Sequence, residues 1–126
     1  MSKIMVIDED SAMRVLISEW LTSEGHEVRS LPRHDSPGLG FTHPAPVDLI
    51  VLDLPYQRTI GGAATHAVKA AQAAYPQAAV VGISAQLTRS LGAQADISRV
   101  LGVSCLLAKP CSREELVRAV ADALGR

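Results

Sequence analysis

The chain has 126 residues, 12 of them basic (Lys, Arg) and 13 acidic, for a formal charge of −1 at pH 7. Hydrophobic residues make up 48% and charged residues 20%, which fits one compact, ordered domain and excludes a disordered tail. Near-neutrality and only four aromatics (Trp20, Phe41, Tyr56, Tyr75) argue against a nucleic-acid or anionic-membrane surface, which needs a basic excess or stacking platforms.

The elements follow in order. Ile4-Met5-Val6-Ile7 is a first apolar strand, stopped by Asp8-Glu9-Asp10. The N-terminus enters this strand directly, which does not fit a signal peptide. Ser11 is expected to cap a helix whose apolar face is Val15, Leu16, Trp20 and Leu21, ended by Gly25. Glu27 to Leu31 mixes polar and apolar residues, as a half-exposed edge strand does. Leu49-Ile50-Val51-Leu52 ends at Asp53, Ala79-Val80-Val81-Gly82-Ile83 ends at Ser84, and Cys105-Leu106-Leu107-Ala108 ends at Lys109. Such continuous apolar runs suit parallel strands buried on both faces. Helices are expected at Ala63 to Tyr75, at Leu87 to Leu101, and from the capping-box spacing Ser112-Arg113-Glu114-Glu115 to Leu124.

The β-α alternation, five times over, predicts a parallel sheet with helices on both faces. The link from Leu31 to Asp48 breaks the pattern. It holds Pro32, Pro37, Gly38, Gly40, Pro44 and Pro46, so an irregular crossover with a short helix near Pro37 to Thr42 is expected. A linker between two domains is the alternative, but neither flank is large enough to fold alone.

The chemistry gathers at the strand ends. In a parallel sheet these ends share one edge, where open α/β proteins bind ligands. Asp8, Glu9, Asp53, Ser84 and Lys109 are therefore expected to line one shallow pocket. Taken singly, an Asp at a strand end is more often a helix cap, and a Lys is usually solvated. Together they describe an acidic oxygen site for a hard cation such as Mg2+, a carboxylate nucleophile, a cation and a hydroxyl. That set is what formation of an aspartyl phosphate requires. The four histidines have no metal-ligand spacing, and the two cysteines, Cys105 and Cys111, fit reduced thiols in a cytosolic chain.

These residues resemble the receiver domain of two-component response regulators, the CheY-like family. The resemblance spans residues 1–126 as a single receiver domain. It rests on Ile4-Met5-Val6-Ile7-Asp8-Glu9-Asp10, Val47-Asp48-Leu49-Ile50-Val51-Leu52-Asp53-Leu54, Val81-Gly82-Ile83-Ser84-Ala85 and Leu107-Ala108-Lys109-Pro110. It implies an α/β, flavodoxin-like, doubly wound (βα)5 sandwich with strand order 2-1-3-4-5. It further implies that Asp53 accepts a phosphoryl group from a histidine kinase or histidine phosphotransfer protein. Mg2+ (or Mn2+) would be held by Asp8, Glu9, Asp53 and the backbone carbonyl of Pro55. Ser84 and Lys109 would contact the phosphoryl group, and the Lys109-Pro110 peptide would be cis. The resemblance implies a switch that changes binding to a downstream target or fused output domain, rather than a conventional enzyme.

Departures from the family pattern are specific. Leu54-Pro55 follows the phosphoacceptor directly, without the usual Met-Pro pair, although Gly61 keeps the loop length. Glu9 stands where an Asp is usual, adding a methylene to a metal ligand. Asp10 is not a direct ligand in the family. The switch aromatic is Leu106, and Cys111 replaces the phenylalanine after Lys-Pro, as an apolar filler rather than a redox handle. An alternative reading is a non-phosphorylated receiver that acts as a constitutive interaction module. A flavin- or nucleotide-binding protein fits less well, because acids occupy the first β-α turn where phosphate needs donors.

Overall fold

A computed structural model of the chain describes residues 2–32, 47–54, 63–85, 87, 90, 92 and 96–125. Among the described residues there are five strands and four helices, beginning with β1 (Lys3–Ile7), α1 (Ser11–Ser23), β2 (Glu27–Leu31) and β3 (Leu49–Asp53). There follow α2 (Ala63–Ala74), β4 (Ala79–Ser84), α3 (Asp96–Leu101), β5 (Cys105–Ala108) and α4 (Arg113–Ala123). All strand pairs are parallel, in the order β2-β1-β3-β4-β5 expected from the resemblance.

Strand alternation sorts the apolar residues into two cores. Met5, Ile7, Ile50, Leu52, Val80 and Leu106 face one side, with Ala67, Val68 and Ala71 of α2 and Leu101 of α3. Ile4, Val6, Leu49, Val51, Val81, Ile83 and Leu107 face the other, with Ile17 and Leu21 of α1 and Leu116 and Val120 of α4. Apolar side chains on both faces are why the central strands read as unbroken apolar runs. β2 is an edge strand, and only Leu31 within it is fully buried. Among the described residues no helix is long and apolar enough to cross a membrane.

The structure corrects three expectations. Asp10, not Ser11, caps α1: its side chain accepts from the backbone N–H groups of Ala12 and Met13, at 3.0 and 3.2 Å. A carboxylate is the stronger acceptor at a helix start, and Ser11 lies inside the first turn. The buried face of α1 is Ile17 and Leu21, flanked by Met13 and Trp20, while Val15 and Leu16 are 56% and 40% exposed. Residues 13, 17, 20 and 21 recur on one side of a 3.6-residue helix, and residues 15 and 16 are turned off it. Of the expected third helix, the described residues are helical over Asp96–Leu101, whereas Leu87, Ser90 and Gly92 are not helical. Ser90 instead accepts a hydrogen bond from the Ala108 N–H at 2.9 Å, which ties this segment to the rim of β5.

Other expectations hold. Ser112 and Glu115 form the capping box of α4, and Gly125 follows that helix at φ 80°. Arg113, the first residue of α4, donates to Glu24 at 2.6 Å and to Ser23 at 3.2 Å, joining it to the end of α1. The Lys109–Pro110 peptide is cis. The crossover helix near Pro37 to Thr42, Pro55 and Gly61 lie outside the described residues.

Gly82 shows how tightly the α2-side core closes. A Cβ there would lie 2.7 Å from Leu106 Cδ2 and 3.0 Å from Leu54 Cδ1. Gly82→Ala is expected to cost about 1 kcal/mol, at the low end for overpacking because both obstacles are leucine methyls. A urea titration of the variant checks this.

Candidate functional site

Register builds the site. Ile7 pairs with Leu52, so the next residues, Asp8 and Asp53, leave adjacent strands side by side. Ala108 pairs with Ser84, so Lys109 emerges one position beyond β4 and returns across it on a long side chain. Lys109 Nζ lies 2.9 Å from Asp53 Oδ1 and 3.0 Å from Asp8 Oδ2. The Asp8 side chain is fully buried, that of Lys109 is 15% exposed and that of Asp53 is 25% exposed. Asp53 is thus the carboxylate that an incoming group can reach.

Charge and burial oppose each other here. Burial pushes the Asp53 carboxyl above its ordinary pKa, and the Asp8 charge adds to this, while the Lys109 hydrogen bond and charge offset only part. Burial alone would lower Lys109, but hydrogen bonds and charges from Asp53 and Asp8 outweigh it and hold the ammonium above its ordinary value. Three charges in contact leave a net −1.

Asp8 is held firmly. Its N–H donates to the Leu31 carbonyl at 3.1 Å, and its Oδ1 accepts from the Asp10 N–H at 2.9 Å. Its carbonyl accepts from Arg14 Nη1 at 2.6 Å. Oδ2 is buried, and the Lys109 ammonium lies 3.0 Å from it.

The expected site residues thus divide. Asp8, Asp53 and Lys109 meet. Ser84 is buried at the end of β4, in the pleat of Val80 and Gly82 and so opposite that of Asp53, and its carbonyl accepts from the Lys109 N–H at 3.0 Å. Glu9 is exposed, and among the described residues no three of His, Cys, Asp and Glu cluster as a metal site. Pro55 lies outside the described residues. Sequence reasoning passed over Arg14; the signal was an arginine at the end of the first helical turn, six positions after a strand-end acid.

The implied cation can be tested against these atoms. Two hard carboxylates stand together, one of them with a buried oxygen whose neighbour is the Lys109 ammonium, and this donor set suits an ion that takes oxygen ligands. The residues fit a divalent cation. Cys111 is different: it is 7% exposed in the apolar core, and burial and Glu115 push its thiol up, which disfavours a reactive thiolate. Both cysteines are free.

A five-stranded parallel α/β sheet in the order 2-1-3-4-5 defines a CheY-like, flavodoxin-like fold, here with paired acids and a lysine at its C-terminal edge. The sequence matches the family described as the response regulator receiver domain over residues 4–121. The chain belongs to that family. No curated protein matches the sequence significantly. In fold it is similar to a CheY-like response regulator receiver domain protein from Methanospirillum hungatei (17% identity, TM-score 0.73, covering 98% of this chain and 94% of that one). It is similar too to the chemotaxis protein CheY4 of Vibrio cholerae (19%, 0.73, 98% of each chain). A third is the response regulator protein TrrA of Thermotoga maritima, solved in complex with Mg2+ and BeF (20%, 0.69, 98% of this chain and 99% of that one).

Proposed function

We propose that residues 1–126 form one receiver domain that accepts a phosphoryl group on Asp53 from a histidine kinase or histidine phosphotransfer protein. The observation that carries this is Lys109 set between Asp53 and the buried Asp8, 2.9 and 3.0 Å from their carboxylate oxygens. Asp53 is the nucleophile because it is the more exposed carboxylate. One of its oxygens forms the new bond to phosphorus as the phosphorus–nitrogen bond of a phosphohistidine breaks, and the leaving imidazole keeps the electron pair and takes up a proton. Lys109 is placed to exchange its carboxylate contact for a phosphoryl oxygen, a charge-assisted bond. The Ser84 hydroxyl, on the opposite pleat, would have to move toward that group to act as a further donor. Asp8, Asp53, Glu9 and the Pro55 carbonyl would hold Mg2+ (or Mn2+). When bound, that ion neutralises the charge gathered on the phosphoryl oxygens.

The domain is a switch rather than an enzyme with a separate substrate, and its output is a changed affinity for a downstream protein or fused output domain. The reading places it in the cytoplasm, with neither nucleic acid nor membrane as a direct partner. With Leu106 and Cys111 in place of aromatics, the switch does not run through rotation of a ring at these positions. Incubation with Mg2+ and a small phosphodonor such as phosphoramidate tests the reading. Wild type should gain the mass of one phosphoryl group and Asp53→Asn none; no gain in wild type, or an equal gain in the variant, overturns it.

A second reading is a receiver that binds its partner constitutively. Favouring it, Glu9 is exposed and Lys109 already fills the cation position between the acids. It expects the same partner affinity for Asp53→Asn as for wild type and no Mg2+ binding.

A further inference from the structure

Asp8 has four polar atoms, and three are tied down: N by Leu31, Oδ1 by the Asp10 N–H, and the carbonyl oxygen by Arg14 Nη1 at 2.6 Å. Only Oδ2 is left to face Lys109 and Asp53. The Arg14 N–H donates to the carbonyl of Asp10 at 2.9 Å, the opening backbone bond of α1, which any residue at this position would keep. What the arginine itself adds is the reach of its guanidinium from α1 back to Asp8, the first residue of the acidic turn Asp8-Glu9-Asp10. Among the described residues its guanidinium bonds only the Asp8 carbonyl, although four acids (Asp8, Glu9, Asp10 and Glu19) lie within six positions of it.

We infer that Arg14 is a positioning residue: its guanidinium fixes the Asp8 peptide so that the buried Oδ2 is presented to a divalent cation. This rests on the reading above that Asp8 and Asp53 hold such a cation. Groups that orient a metal ligand from behind matter to affinity nearly as much as the ligand does. The inference has a sign that charge alone does not. Arg14 is a cation beside an acidic site, so simple electrostatics expects its removal to strengthen binding of Mg2+. Positioning expects the opposite, because the freed peptide lets the Asp8 carboxylate wander.

Calorimetric titration with Mg2+ alone decides between them, at a temperature where the far-ultraviolet spectra of wild type and variant coincide. Arg14→Met is expected to weaken Mg2+ binding about tenfold. Arg14→Lys, which keeps a charge and a donor, is expected to recover most of that loss. Arg14→Gln, whose amide falls short of the Asp8 carbonyl, gives the same comparison should the methionine variant not fold. Equal or tighter binding by Arg14→Met, or by Arg14→Gln in its place, overturns the inference and leaves the phosphoacceptor reading standing. A wild-type chain that takes up no Mg2+ removes instead the reading on which it rests.

Discussion

Lys109→Met is expected to destabilise the fold by about 3 kcal/mol at pH 7, the scale for removing one partner from a buried ion pair. The methionine keeps most of the apolar stem but leaves Asp53 beside an Asp8 side chain that has no access to water. Two carboxylates about 4 Å apart repel by roughly 4 kcal/mol at an effective dielectric of 20, so the loss should shrink on acidification as Asp53, whose pKa burial already raises, takes up a proton. Mg2+ should restore more stability to the variant than it adds to wild type, since it replaces the missing cation. The alkaline limb differs as well. The folded-state pKa of Lys109 is raised, so the stability it contributes is complete below its ordinary pKa and is lost as pH rises through the raised value. Wild type should therefore lose stability at strongly alkaline pH in a step that Lys109→Met lacks. Urea denaturation across pH measures both, and unchanged stability at pH 7 would show that the three charges do not act together.

Asp53→Asn should move stability the other way. The folded-state pKa of Asp53 is raised, so the native state binds its proton more tightly than the unfolded chain does. Stability then falls as pH rises from the ordinary carboxylate value through the raised one, and the deficit persists at neutral pH. An asparagine removes that charge and leaves Asp8 and Lys109 as a balanced pair. The variant is expected to melt above wild type at pH 7, with the difference vanishing at acid pH where Asp53 is protonated in both states. Thermal melts at pH 7 and well below the carboxylate range check the sign. A lower melting temperature for the variant at pH 7 would mean that the contact with Lys109 outweighs burial and the repulsion from Asp8.

Much of this was legible in the chain itself. Ile4 to Ile7, Leu49 to Leu52 and Val80 to Ile83 are apolar without a break because each strand faces a core on both sides. The ends of β1, β3 and β5 carry Asp8, Asp53 and Lys109, so the meeting of the three followed once the strands were parallel. Helix details were harder. Val15 and Leu16 have the composition of a core face, yet the face of α1 is chosen by where Ile17 and Leu21 meet the sheet, a tertiary fact. Ser11 and Asp10 are both competent caps, and the difference lay in where the backbone turned. The shortness of α3 was hidden because Leu87 fits a helical spacing but packs from outside a helix. Arg14 left only a weak signal for another reason: its partner is a backbone carbonyl, and sequence patterns record side chains.

The hydrogen bond from the Ala108 N–H to the Ser90 hydroxyl has a bearing on how copies of this chain behave in concentrated solution. β5 is an outer strand, four residues long, and an open outer strand is a template for sheet growth between molecules. Ser90 occupies one of the amides that such growth would use. At the opposite border β2 carries Glu27 and Arg29, charges that a second strand would have to bury. A chain that is nearly half hydrophobic therefore keeps its sheet to five strands by blunting both borders, one with a hydroxyl and one with charge.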